Sequence, residues 1–149
     1  MPARASGFTL VELVGVIAIA GILAAVAAPR FFDTATFASR GYFDAAAGFL
    51  RHAQKLAIAR RGGVNVLVDA NGLTLCRSAT SPCPVADQIA GPDGSMPFQV
   101  LVPNGVSFSG SVASIGFNAL GQPSVGASLS IVGDVTRILT VEAETGYVH

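Results

Sequence analysis

The sequence predicts an α+β protein. One long, kinked N-terminal helix, half membrane-spanning and half amphipathic, packs on an antiparallel β-sheet domain. Three observations predict it. Residues 8–28 are a predominantly apolar run with a single charge, Glu12. Residues 29–61 mix apolar and charged residues at helical spacing. From Gly63 onward the pattern shortens to strand-like runs broken by turn dipeptides.

The first helix half holds 21 residues between Phe8 and Ala28. At a rise of about 1.5 Å per residue it spans roughly 31 Å, enough to cross a bilayer. A carboxylate in such a span costs about 2.5–3.5 kcal/mol at mid-membrane, so Glu12 reads as functional. It makes sense if the Gly7-Phe8 junction is cut, because the new amine at Phe8 is a cation that Glu12 neutralises. Pro29 kinks the helix without ending it. Tyr42, Phe43, Ala46, Ala47, Leu50, Ala53 and Ala57 then recur on one face. Arg40, Asp44, Arg51, Lys55 and Arg60 largely avoid that face, and Gly62-Gly63 is the expected stop.

Beyond Gly63, Val64, Val66 and Val68 alternate with Asn65, Leu67 and Asp69, which reads as a strand. Asn71-Gly72 is a hairpin turn, and Leu73 to Cys76 the return strand. Ser81 to Pro97 holds four prolines and reads as loop. Phe98 to Val102, Val106 to Phe108 and Val112 to Phe117 are short strand candidates. Leu129 to Val132 and Arg137 to Val141 form a last hairpin around Gly133-Asp134.

Composition excludes several functions. Formal net charge is zero, so no global field attracts nucleic acid or an anionic surface. There is no Trp and only two Tyr, a poor stock for stacking single-stranded bases. No nucleophile elbow, P-loop, dinucleotide fingerprint or HExxH motif occurs. His52 and His149 are isolated, and the acids lack calcium-loop spacing, so no catalytic residue, metal ligand or cofactor is assigned. Cys76 and Cys83 are too few for a structural zinc site.

Gly7-Phe8-Thr9-Leu10-Val11-Glu12-Leu13 resembles the processing site of type IV prepilins and type II secretion pseudopilins. The resemblance implies a leader at 1–7, cleavage between Gly7 and Phe8 by prepilin peptidase, and N-methylation of Phe8. It implies a transmembrane and filament-core helix at 8–28, its amphipathic continuation at 29–61, and a β-rich domain at 62–149. The chain would sit in the bacterial inner membrane with that domain in the periplasm, then pass into a pilus or pseudopilus among other pilins. Glu12 would pair with a neighbour's Phe8 amine during assembly. A secretory signal peptide ending near Ala24–Ala28 is the alternative; it normally has a shorter core and no acid.

Phe117-Asn118-Ala119-Leu120-Gly121-Gln122-Pro123 and Thr140-Val141-Glu142-Ala143-Glu144-Thr145-Gly146-Tyr147-Val148 are similar to the ending of GspH/FimT-type minor pilins. Pro29-Arg30-Phe31-Phe32-Asp33 and Ala53-Gln54-Lys55 are similar to minor pilins of the mannose-sensitive haemagglutinin (MSHA) type. The resemblance implies a filament subunit, not an enzyme, in a tip or priming complex. Outside the cytoplasm disulfides persist, so a Cys76–Cys83 bridge is expected, the alternative being two buried thiols. Some FimT-type pilins are linked to DNA uptake, for which Arg51, Lys55, Arg60, Arg61, Arg77 and Arg137 are the candidate contacts. A solvated helix face is the simpler meaning of that spacing. An adhesive role would fall to the loop from Arg77 to Pro97.

Overall fold

A computed structural model of the chain describes residues 9–31 and 34–149, with side chains for 9–26 and 36–149. It divides into two compact units, Met1–Thr34 and Ala35–His149. The first contains helix α1, Leu10–Phe31, which continues past Pro29. Its start has a cap: the Glu12 amide donates to Thr9 Oγ1 at 3.2 Å. Thr9-x-x-Glu12 is the spacing of a capping box, which satisfies amides that the helix leaves unpaired. Leu10, Val11, Leu13, Val14, Val16, Ile17, Ile19, Ile22, Leu23 and Val26 are all exposed. A helix apolar on every side needs lipid or other protein around it.

The second unit is built on helix α2, Thr34–Arg60. Its buried face is Tyr42, Ala46, Phe49, Leu50, Ala53 and Ala57, with Ala47 beside it. Three- and four-residue steps keep these on one stripe. Phe49 belongs to that stripe although the sequence pattern was drawn without it; it stacks on Phe98 with ring centroids 4.8 Å apart. The helix ends in a Schellman arrangement. The Gly62 amide reaches the Ala57 carbonyl and the Arg61 amide the Ile58 carbonyl, both at 3.1 Å. Arg61 therefore takes the left-handed position (φ 51°) that glycine usually fills.

Seven strands follow: β1 Val64–Asp69, β2 Gly72–Cys76, β3 Gln99–Leu101, β4 Ser107–Gly110, β5 Ser114–Phe117, β6 Ala127–Val132 and β7 Thr136–Val141. They form two antiparallel sheets, ordered β3-β2-β1-β5 and β4-β6-β7. The single expected sheet is thus divided. The cause lies between β4 and β5, where the chain leaves one sheet for the other. At Gly110 an added Cβ would sit 2.6 Å from Val68 Cγ1, so the corner presses on β1. There the Ser111 amide still bonds Ser128, while the Ala113 carbonyl already accepts from Val68.

One apolar cluster joins α2 to both sheets. Val64, Val66, Leu73, Leu75, Ile115 and Phe117 come from the first; Phe108, Leu129, Ile131, Leu139 and Val141 come from the second. Strand β6 alternates inward Ala127, Leu129 and Ile131 with outward Ser128, Ser130 and Val132, as a one-sided sheet requires. Strand β1 departs from this. Leu67 points away from the α2 side yet is only 2% exposed. The cover is the stretch after β2, whose Pro82, Cys83 and Pro97 gather with Leu67 and Thr74 around a small cleft.

Tyr42 fills the middle of this core, edge-on to Phe108 at 5.4 Å. Its hydroxyl is buried without a partner among the described residues. Burial, helped by the Asp69 charge, pushes its ionisation far above the ordinary tyrosine range. A buried hydroxyl with no partner forfeits its hydration, at a cost of about 1–3 kcal/mol. Tyr42→Phe keeps the ring packing and removes that cost. It should raise stability by about 1 kcal/mol in urea unfolding; a loss of similar size would reveal a hydrogen bond to the hydroxyl.

Candidate functional site

The sequence-predicted processing residues Gly7 and Phe8 lie outside the described residues. Glu12 is described. It is exposed in the first turn of α1, where a carboxylate faces the positive end of the helix dipole. Around it the helix carries only apolar and small side chains. An added Cβ at Gly15 or Gly21 meets nothing within 4 Å, which leaves both positions open to a close neighbour. Among the described residues no helix is long and apolar enough to cross a membrane. The described side chains of α1 stop at residue 26, short of the roughly 20 apolar residues a span takes.

The two C-terminal segments singled out in the sequence meet each other, and α2 holds them. Gln54 Nε2 donates to the Gly121 carbonyl at 2.9 Å and to the Thr145 carbonyl at 3.0 Å. Gln122 Nε2 reaches the Glu144 carbonyl at 3.3 Å. Gly146 is left-handed (φ 69°), and an added Cβ would sit 2.5 Å from the Gly121 carbonyl oxygen. Both the backbone angle and the close approach require glycine there. The chain end then returns along β7: His149 exchanges backbone bonds with Thr140 at 2.7 and 3.0 Å. His149 Nε2 also meets Glu142 Oε1 at 3.0 Å.

Cys76 and Cys83 are joined in a disulfide, with Cα atoms 5.9 Å apart. The chain-entropy model gives such a small loop about 2.5 kcal/mol of stabilisation. The stretch beyond it is tied back to β2. The Arg77 amide bonds Asp87, the Phe98 amide bonds Ile89, and the Leu75 amide bonds Phe98, each at 2.9 Å. The expected plain loop is therefore a pinned cover on the first sheet, with a short 3-10 turn at Val85–Asp87.

The basic residues do not form one patch. Arg51 and Lys55 are both exposed on α2, and Arg51 Nη2 donates to the Val148 carbonyl at 3.0 Å. Arg60 and Arg61 lie at the C-terminal end of α2. Arg137 is on β7 and shares a cleft with Arg40, Phe43 and Asp44, in the first half of α2. From Asp44 to Arg60 the helix climbs about 24 Å, so Arg137 is far from the Arg60-Arg61 pair. Next to it, Asp134 Oδ1 accepts from the buried Ser39 hydroxyl at 3.0 Å. Desolvation alone would raise the Asp134 carboxyl. The Ser39 hydroxyl, the Val135 amide, the Thr36 hydroxyl and the Arg137 charge outweigh it and hold the carboxyl below its usual range. That tie is complete above about pH 4 and is lost as pH falls through the lowered value.

Residues 2–28 match the family model of the prokaryotic N-terminal methylation motif. Over 61 residues the chain is 46% identical to the type IV narrow pilus major component PilA5 of Thermus thermophilus. The match covers 41% of this chain and 53% of that protein, so the chain spans about half the length of the curated relative it matches. The fold resembles the type IV minor pilin FimU of Pseudomonas aeruginosa in two crystal forms. TM-scores are 0.56 and 0.53 at 13% and 14% identity, over 74% of this chain and 90% and 85% of FimU. The chain thus carries a prokaryotic N-terminal methylation motif ahead of a head that has the fold of FimU.

Among the described residues no three His, Cys, Asp or Glu side chains gather where they would hold a metal ion. Sequence reasoning quoted Gln54 only within the Ala53-Gln54-Lys55 resemblance and gave it no structural role. Its one available signal was its place on the half-buried edge of the α2 stripe, facing two glycine turns. Gln54→Ala should cost about 2 kcal/mol, since it leaves two carbonyls without their donor. It should also speed backbone exchange at Gly146, whose turn depends on that donor. Unchanged unfolding and unchanged exchange would contradict the assignment.

Proposed function

We propose that this chain is a minor pilin of the GspH/FimT type, cut between Gly7 and Phe8 by prepilin peptidase and N-methylated on Phe8. In this reading residues 8–28 anchor it in the inner membrane, with the head in the periplasm, until it joins other pilins in a filament. The observation that carries the reading is the methylation-motif match at residues 2–28, running into a helix with exposed apolar side chains on every side. Such a helix suits lipid before assembly and a helical bundle after it. The move between two apolar surroundings costs little.

Glu12 gives the assembly its register. Cleavage would create an amine at the positive end of the helix dipole, where a cation is disfavoured. The carboxylate of an adjacent subunit relieves it. Inside an apolar bundle, removing one partner of such a pair costs about 3–5 kcal/mol. A chain that keeps Glu12 fits beneath another subunit rather than alone at the apex, so a tip or priming complex is its expected place. The relatives divide on this point by name, one being a major component and the other a minor pilin. The dispersed arginines favour a filament subunit over a DNA-uptake pilin.

Two measurements check this reading. Mass spectrometry of membrane protein should find a mature chain beginning at Phe8 and one methyl group heavier; a terminus near Pro29 would establish a signal peptide instead. Glu12→Val should leave membrane insertion intact while the amount recovered in sheared filaments falls at least several-fold. Equal recovery would remove the register argument.

A further inference from the structure

Among the described residues neither Arg137 nor Arg40 is in an ion pair within 4.0 Å. They line a cleft of about 290 Å³ between α2 and β7, together with Phe43 and Asp44. Among the described residues the one ion pair within 4.0 Å is Glu142–His149, so neither guanidinium has a carboxylate that close. Arg40 and Asp44 are one turn apart on α2, with the cation N-terminal, the weaker order for such a pair. Asp134 attracts Arg137 but is committed to Ser39. Arg137 Nε is buried and has no hydrogen-bond partner among the described residues.

We propose that this cleft is an intersubunit socket: it receives an Asp or Glu side chain from an adjacent pilin of the filament. The inference rests on the pilin reading above. Three features support it. A guanidinium edge offers two parallel donors in the geometry of a carboxylate. The lining carries two positive charges and one negative, a balance that suits a monoanion such as a carboxylate, while Asp44 repels the heavier charge of a phosphate. Phe43 supplies an apolar wall on one side of the cleft.

The test compares the wild-type chain, Arg137→Gln and Arg40→Gln, with Arg77→Gln as a control on the other sheet. Each full-length chain is melted in detergent and its recovery in sheared filaments measured against the membrane pool. The socket predicts melting within about 2 °C of wild type for both cleft variants, a small shift by the usual scale for a domain of this size. It predicts at least a fivefold loss from filaments, with the control unchanged. In intact filaments, Arg137→Lys treated with a carbodiimide should become joined through position 137 to an Asp or Glu of another pilin, identified by mass spectrometry. Normal recovery of both glutamine variants overturns the proposal. So does a loss matched by a large fall in melting temperature, or a link from position 137 only to Asp44 or Asp134 of the same chain. Depletion of the membrane pool rather than the filament pool assigns the cleft to lipid headgroups and also overturns it. Absence of the wild-type chain from filaments refutes the pilin reading itself, a separable outcome.

Discussion

The narrow face of α2 formed by Tyr42, Ala46, Leu50, Ala53 and Ala57 is the contact on which the rest of the head depends. Neither sheet has an inside of its own. The four-stranded sheet turns Val66, Leu75 and Ile115 toward the helix, and the three-stranded sheet turns Leu129, Ile131 and Leu139. Three alanines in that face let the helix backbone come close, so larger strand residues fill the space that small helix residues leave. Where close approach would strand backbone groups, a side chain meets them: Gln54 bonds two turn carbonyls at once. Tyr42 is the exception, with its ring in the core and its hydroxyl unpaired. The packing gain of that ring outweighs the loss.

Helix α1 poses the opposite problem. Its apolar side chains are exposed in every direction, and nothing described in the chain covers them. Burial of such surface is worth about 25 cal/mol per Å², so the unit's stability depends on whatever apolar surroundings cover it. One carboxylate breaks this uniformity. Glu12 is tolerable near the helix start, where the dipole and the Thr9 cap favour it, and it supplies the polarity a featureless apolar rod lacks. Stability thus differs along the chain: the head is held by its own contacts, while the described side chains of α1 have no cover within the described residues.

Much of this was legible in the residues. The alternation in Val64–Val68, the Asn71-Gly72 turn and the Leu129–Val141 hairpin each encode structure locally, through period two and turn chemistry. The α2 stripe was legible through its alanines. What escaped depends on contacts distant in sequence. The division into two sheets follows from the corner at Gly110, where β4 pairs with β6 and β5 with β1. Leu67 looked solvent-facing because its cover lies fifteen and more residues away, in the stretch pinned by Cys83. Phe49 was missed because its neighbour Leu50 already satisfied the helical period. Arg61 as the helix terminator was hidden by the glycines after it. The Thr9-x-x-Glu12 spacing encodes the helix cap locally, through the Thr9 hydroxyl and the Glu12 amide. The cleft at Arg137 had no sequence signal, since β7 and the first half of α2 meet only in three dimensions.

Helix α2 is the shared wall of both sheets, and the head is complete without α1. The most direct measurement compares the fragment Ala35–His149 with one spanning residues 63–149, by circular dichroism and urea unfolding. The account predicts that the longer fragment is soluble, has mixed helix and strand signal, and unfolds in one cooperative step. The shorter one, with one side of each sheet bared, should aggregate or stay unfolded. A shorter fragment that unfolds with the same cooperativity and midpoint as the longer one would contradict the claim.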